Sequence, residues 1–324
     1  MRIGIAGAGT MAEVHAAAWR SLGANLVGYV SLRSAGTDDA LAKRFELRAR
    51  ASYADLLQEI DIIDICTPTS QHRSMVLEAA AAGKHVICEK PIATTVEDAQ
   101  VMIDACRNVR LFVGMVVRFF PQYRSARQLV AAGHIGTPGV LRLKRVSYVP
   151  QRAPDSWYFD ESISGGMIVD LMSHDIDYAR WLAGEIERVY AVRTNAKTGA
   201  AQYVQAVLRF RNGAMALIEG GWAYPPGIFR TSFDLAGSEG LIEWCSDQPP
   251  PITSFRLPAT EAAASVGLPT SGLAEDPYTS EIRHAFECIQ SGTAFDVTPQ
   301  DALEALRISL AVKRSTETGQ PIEP

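Results

Sequence analysis

The chain is poor in several features that mark whole function classes. It carries 5 cysteines in 324 residues: Cys66, Cys88, Cys106, Cys245 and Cys288. Their number is odd, their spacing is wide, and no CxxC pair occurs. That argues for reduced thiols and against a disulfide framework or a zinc site, so no metal is expected. No apolar run reaches the roughly 18–20 residues of a membrane-spanning helix. Basic residues are not in excess: 31 Lys and Arg stand against 36 Asp and Glu, a formal net charge of -5. No basic run interleaves with aromatic residues, so neither nucleic acid nor a membrane surface is an expected partner. No leader is legible, because Met1-Arg2-Ile3-Gly4-Ile5-Ala6 runs straight into a glycine-rich turn. A cytoplasmic protein is expected.

What is present points to a globular protein of two domains. Hydrophobic residues make up 47% and charged residues 21%, and the length exceeds that of one small core. Over the first 120 residues short apolar runs alternate with amphipathic helices. The strand candidates are Arg2–Ala6, Asn25–Val30, Ile60–Cys66, His85–Cys88 and Arg110–Val116. The helix candidates are Met11–Leu22, Asp38–Phe45, Tyr53–Gln58, Gln71–Ala82 and Thr95–Cys106. Continuous apolar strands between helices indicate a parallel sheet covered on both faces.

From about residue 121 the pattern changes. After a helix over Tyr123–Ala132 come longer runs with period-two alternation: Leu141–Val149, Val189–Thr194, Gln202–Arg211, Met215–Gly221 and Ile228–Leu235. These predict an open, mostly antiparallel sheet with one dressed face. Helices over Met167–Leu182 and Glu281–Ile289 should cover it. A last helix over Pro299–Thr316 is expected to pack back near the domain interface. Residues 246–275, rich in Pro, Ala, Ser and Thr, read as a loop. The expected class is α/β: a Rossmann doubly wound parallel sheet over 1–120, then an α+β domain over 121–324. An open sheet with apolar residues on its bare face predicts a homodimer or homotetramer formed through that sheet.

Gly7-Ala8-Gly9-Thr10-Met11-Ala12 follows the first strand and opens a helix. Gly7 permits the tight turn, Gly9 lets the backbone approach a pyrophosphate, and Ala12 allows close helix–strand packing. Amides at Thr10 and Met11 then meet the phosphate charge. A dinucleotide is the expected cofactor. An NAD site places Asp or Glu at the end of the second strand, and the sequence there reads Val30-Ser31-Leu32-Arg33-Ser34. Arg33, with hydroxyls at Ser31 and Ser34, suits a 2′-phosphate, so NADP is preferred and NAD remains possible.

Two further stretches carry reacting groups. Cys66-Thr67-Pro68-Thr69-Ser70-Gln71-His72 and Cys88-Glu89-Lys90-Pro91 each follow a strand end, where ligands of open α/β sheets bind. Later, Gly165-Gly166 leads into a helix on which Asp170 and His174, four apart, share a face. Lys90 is expected to face them across a cleft. Asp177 suits a salt bridge as well as a functional role. His15 is placed to approach the cleft from the first helix, and Tyr123 is a weaker substrate contact.

In this combination the chain resembles the family of glucose–fructose oxidoreductase, inositol 2-dehydrogenase and their relatives (Gfo/Idh/MocA). The resemblance covers essentially the whole length. It rests on the GxGxxA turn, Thr67-Pro68 with His72, Glu89-Lys90-Pro91, Ser156-Trp157 before Gly165-Gly166, Asp170 with His174, Gly220-Gly221-Trp222 and the last helix with Ser315 and Gly319. It implies a nicotinamide-dependent oxidoreductase of the CH–OH group of a sugar, deoxysugar or cyclitol. Lys90, Asp170 and His174 match the family's catalytic residues. By the same match Thr67, Pro68, His72, Glu89 and Lys90 lie along the cofactor, and Arg118, Trp157, Tyr158 and Trp222 are substrate-pocket candidates beside Asp170 and His174. Met167 replaces a glycine, Met172 a small residue and Leu32 an acid of the family pattern. Either His174 or Lys90 can carry the proton. Other functions consistent with the sequence are reduction of another carbonyl or imine, redox-neutral chemistry with recycled NAD, and a non-catalytic NADP-binding sensor.

Overall fold

The computed structural model describes residues 1–31, 40–195, 200, 202–247 and 275–324. Among them the chain forms two compact units. One comprises Met1–Phe119 and the described part of Ser271–Leu303; the other comprises the described parts of Phe120–Thr270 and Glu304–Pro324.

The first unit is built on five parallel strands: β1 (Arg2–Ala6), β2 (Asn25–Val30), β3 (Ile62–Ile65), β4 (His85–Glu89) and β5 (Leu111–Gly114). Their order is β2-β1-β3-β4-β5, so the winding reverses between β1 and β3. Helices α1 (Thr10–Ser21), α2 (Ala40–Phe45), α3 (Tyr53–Glu59), α4 (Thr69–Ala81) and α5 (Val96–Ala105) intervene. The strands lack polar alternation because both faces are covered: Ile3, Ile5, Ile62, Ile63, Val86, Ile87 and Phe112 are fully buried. Ser52 caps α3 by accepting from the Asp55 amide at 3.1 Å, and Thr95 caps α5 through the Asp98 amide at 3.2 Å.

In the second unit, α6 (Pro121–Ala131) precedes β6 (Pro138–Tyr148), and a short helix α7 (Glu161–Ser164) leads to α8 (Ser173–Ala183). Strands β7 (Ile186–Asn195), β8 (Gln202–Phe210), β9 (Met215–Tyr224), β10 (Arg230–Gly237) and β11 (Leu241–Cys245) complete a six-stranded sheet. Its order is β11-β10-β6-β9-β8-β7; the β6–β9 pair is parallel and the others antiparallel. Val204, Ala206, Leu208 and Phe210 of β8 alternate inward. On the other face Tyr190, Val192, Val207, Met215 and Leu217 are 39–51% exposed. Tyr190, Val207 and Leu217 form one cross-strand row.

Helix α9 (Pro277–Ser291) packs with the first unit, where Phe286 meets Trp19 edge-on at 5.4 Å. Helix α10 (Pro299–Thr318) begins in the first unit and continues in the second. Strand β11 lies outside the strands expected from sequence, although Leu241-Ile242-Glu243-Trp244-Cys245 alternates. Most of the expected 246–275 loop, and Asp38 at the expected start of α2, lie outside the described residues.

The segment expected as one helix over Met167–Leu182 is divided. Ile168–Met172 forms a wide turn of i→i+5 type, and α8 starts only at Ser173. Ahead of it Gly165 and Gly166 have φ of 83° and 76°, which only glycine adopts without strain. Met172 ends the wide turn on Gly220 of β9, where an added Cβ would lie 2.4 Å from Met172 Cγ. Met167 and Met172 are both fully buried, so these large residues fill core volume.

Candidate functional site

The strand-end turn of the first unit fits a dinucleotide. Gly7 has φ 119°, and a Cβ there would lie 2.5 Å from the Cys66 carbonyl oxygen, so only glycine lets the β1–α1 turn approach the end of β3. The Gly7 amide donates to Val30 O at 2.9 Å, which ties the turn to the end of β2. Gly9 is the residue before α1 and caps it with no side chain. A Cβ on Gly9 would meet nothing within 4 Å. The first-turn amides at Thr10, Met11 and Ala12 therefore have neither an intrahelical acceptor nor a side-chain cap, and the space beside Gly9 is open, as a pyrophosphate requires. Thr10 is exposed, and Met11 and Ser31 are half-buried. Leu32, Arg33 and Ser34 lie outside the described residues.

The loop after β3 and the end of β4 are tied together. Buried His72 on α4 places Nδ1 3.0 Å from Pro91 O and Nε2 3.0 Å from Thr67 O. Burial pushes its pKa down, and the two carbonyls oppose this. His72 is thus a pin between two loops. The Lys90–Pro91 peptide is cis. The Lys90 amide donates to Glu89 Oε2 at 3.0 Å. Thr67 is buried; Pro68 and the Lys90 side chain are half-buried.

Behind this edge lies a buried polar cluster. His15 places Nδ1 3.0 Å from both Asp64 oxygens and Nε2 3.0 Å from Glu89 Oε1. Trp19 Nε1 donates to Asp64 Oδ2 at 2.7 Å, and Cys66 Sγ donates to Asp64 Oδ1 at 3.5 Å. His15, Asp64 and Cys66 bring atoms of metal-ligand type within 4.8 Å of one another; in this arrangement their polar atoms are engaged by hydrogen bonds. Glu281 of α9 is fully buried, and neither of its oxygens has a hydrogen-bond partner among the described residues. A Cβ on Gly114 would stand 3.4 Å from Glu89 Oε1 and 3.6 Å from Glu281 Oε1, so the two carboxyls meet above that glycine.

Burial first, and Glu89 next, push the Glu281 pKa well above the usual carboxyl value. The folded protein then holds a proton that the unfolded chain releases above about pH 4.5. This contribution to stability is present below that pH and is lost as pH rises toward the folded pKa. Glu281→Gln, a neutral acid's near-isostere, is expected to flatten the fall in Tm as pH rises above about 4.5. Parallel Tm–pH curves for the variant and the parent would refute this.

In the second unit Trp157, Tyr158, Asp170 and Trp222 come together. The Tyr158 hydroxyl donates to Asp170 Oδ2. The Tyr158 ring stacks on Trp222, centroids 5.5 Å apart at 26°, and meets Trp157 edge-on at 5.6 Å. The Arg152 guanidinium lies 4.8 Å from the Tyr158 ring centroid. Burial, with the Asp170 carboxylate beside it, pushes the Tyr158 hydroxyl well above its ordinary pKa, so it stays a donor. Asp170 is half-buried on the wide turn; His174 is buried on the first turn of α8. Asp177 is buried too.

Two candidates belong to the framework. Arg118 is 2% exposed; it donates to Asp296 O at 2.9 Å and pairs with Asp301 at 3.4 Å. Tyr123 is packed against Tyr178, Phe233 and Trp244, and its hydroxyl accepts from Arg145 at 3.3 Å. The sequence reading missed Asp64, Glu281, Arg145 and Asp175. For Glu281 a signal existed: an acid amid Tyr278, Ile282, Ala285 and Ile289 on the apolar face of a helix.

Comparison with known proteins agrees with this fold. Residues 1–115 match the model of the oxidoreductase family with an NAD-binding Rossmann fold (GFO/IDH/MocA). Residues 123–243 match the GFO/IDH/MocA C-terminal domain. The uncharacterized oxidoreductase YrbE of Bacillus subtilis is 31% identical over 84% of this chain and 81% of its own. The myo-inositol 2-dehydrogenase of Thermotoga maritima is 28% identical over 100% of this chain and 98% of its own. Among solved structures, a levoglucosan dehydrogenase in complex with NADH and levoglucosan superposes with TM-score 0.83 at 26% identity, over 100% of this chain and 99% of that one. No described helix is long and apolar enough to cross a membrane. The chain belongs to the GFO/IDH/MocA family of NAD-binding oxidoreductases.

Proposed function

We propose that this oxidoreductase moves a hydride between a nicotinamide ring and a carbinol or carbonyl carbon of a sugar, deoxysugar or cyclitol. The observation that carries the reading is the open, uncapped start of α1 at Gly9, at the same sheet edge as Glu89-Lys90. Relatives named for myo-inositol and levoglucosan support the substrate class. The cofactor supplies the hydride acceptor or donor. In oxidation the hydroxyl proton must leave as the C–H bond breaks. Lys90 and His174 are the groups assigned to take it or to stabilise the developing alkoxide, and Asp170, oriented by Tyr158, positions the substrate. Trp157, half-buried, offers a ring on which a sugar face can stack, and Trp222, buried beneath the Tyr158 ring, backs the tyrosine that holds Asp170.

The decisive assay is a panel of sugars and cyclitols, each tested with NAD and with NADP. Turnover of at least one polyol is expected; none with either cofactor would refute the reading. NADP is the proposed preference because Leu32 stands where NAD sites carry an acid, and Arg33, with Ser31 and Ser34, adjoins it. Arg33→Ala should raise the KM for NADP roughly 10- to 100-fold, the worth of a charged hydrogen-bond fork. The KM for NAD should move little, and equal effects on both would exclude a phosphate contact.

The bare sheet face supports a homodimer or homotetramer through the second unit. Tyr190, Val207 and Leu217 continue across the sheet into Arg142, Asp234 and Glu243. Leu217→Arg is expected to shift the mass in light scattering toward monomer, and a parent protein already monomeric at micromolar concentration would refute the assembly. A cytoplasmic location completes the proposal.

A further inference from the structure

His15 lies on α1, fully buried, with each ring nitrogen against a different carboxyl group. A neutral imidazole has one N–H to donate, and an imidazolium has two. Asp64 Oδ2 also accepts from Trp19, and Glu89 Oε2 accepts the Lys90 amide. Each carboxylate is thus fixed from two sides, and the doubly donating form of His15 satisfies both.

The groups facing His15 come from three elements. Asp64 is on β3 with Cys66 just beyond it, Glu89 ends β4, and Glu281 and Tyr278 belong to α9. Burial alone would lower the His15 pKa; the Asp64 charge, with the hydrogen bond to the same carboxylate, outweighs it and holds the pKa well above the ordinary histidine value. The Cys66 thiol and the Tyr278 hydroxyl are themselves pushed up by burial, and Glu281 likewise, so burial disfavours the charged form of each.

We propose that His15 is a positioning residue for the reacting turn: by bridging Asp64 and Glu89 it fixes the carboxylate that holds the Lys90 main chain, and so sets where the Lys90 side chain stands. This rests on the assignment of Lys90 to the chemistry. The physical case is that β3 and β4 are neighbours and put two carboxylates close together in the core. A buried charge left without its partner is costly. Without the cation between them Glu89 would turn away, and the Lys90 amide would lose its acceptor.

The test compares His15→Gln, Glu89→Gln and Lys90→Ala in the cofactor-saturated enzyme, with the best substrate of the panel. Both glutamine variants are expected to lower kcat 10- to 100-fold and to displace the pH–rate profile, with the cofactor KM within about threefold of the parent. In ¹⁵N-histidine NMR of the parent, the signals lost in the His15 variant should report both ring nitrogens protonated at about pH 8. The proposal is overturned if His15→Gln keeps the parent's kcat and pH profile while Lys90→Ala loses turnover. If Lys90→Ala keeps its turnover, it is the functional reading that falls. If His15→Gln does not fold, Glu89→Gln decides in its place. A singly protonated His15 in the parent overturns the proposal irrespective of activity.

Discussion

Lys90→Ala is expected to lower kcat by roughly 10²–10⁴-fold, the usual worth of a positioned proton-handling group. His174→Ala should cost a similar factor. Neither should change cofactor affinity more than about threefold, because the pyrophosphate is expected on backbone amides at Gly9–Ala12. The partition between kcat and binding is therefore the readout. Lys90 stands at a fixed point: its amide is held by Glu89, and the following Pro91 carbonyl is held by His72. Truncating the side chain should leave that backbone in place, so lost turnover would report chemistry. The pH–rate profiles separate the two roles. The residue that transfers the proton should take one limb of the profile with it when removed, while the residue that only stabilises alkoxide should lower the plateau. Near-parental turnover in either variant removes that residue from the reaction.

Asp175→Ala is expected to cost about 3–5 kcal/mol of stability in the second unit. Arg145 binds Asp175 through two hydrogen bonds, of 2.7 and 3.1 Å, and both side chains are at most 3% exposed. Among the described residues, removing the acid would leave the guanidinium with the Tyr123 hydroxyl and ring as its polar company. For a unit of this size the transition should fall by on the order of 10 °C. The pair costs desolvation on both sides, so Arg145→Met with Asp175→Leu should recover most of the loss. A single variant that melts within about 2 °C of the parent would contradict this account. Since Asp175 adjoins His174, kinetics of the single variant should be read well below its melting point.

Much of the fold is written in the period of the sequence. The first unit's strands are mostly continuous apolar runs and the second unit's alternate, because burial on two faces and on one leaves those signatures. The site is less legible. Gly7, Gly9 and Glu89-Lys90-Pro91 stand out because their residue types have narrow uses. Asp64 does not, because a single acid in an apolar strand carries no sign of the histidine and tryptophan that meet it from α1. Arg118 looks like a ligand fork in sequence and serves as a brace for Asp296 and Asp301. Its partners lie about 180 residues away, beyond any local pattern. The wide turn at Ile168–Met172 was equally hidden, since a one-residue change of pitch leaves the apolar spacing nearly intact.

That turn has a steric corollary for the residues assigned to the chemistry. Met172 follows Asp170 by two positions, and Gly220 precedes Trp222 by two, on the same side of β9. The thioether wedged on Gly220 therefore acts as a spacer that gauges the separation of the acid from the indole. Any exchange of volume between positions 172 and 220 should re-gauge both ends together, and evolution or design could retune the grip on a ligand from there without altering a residue that touches it.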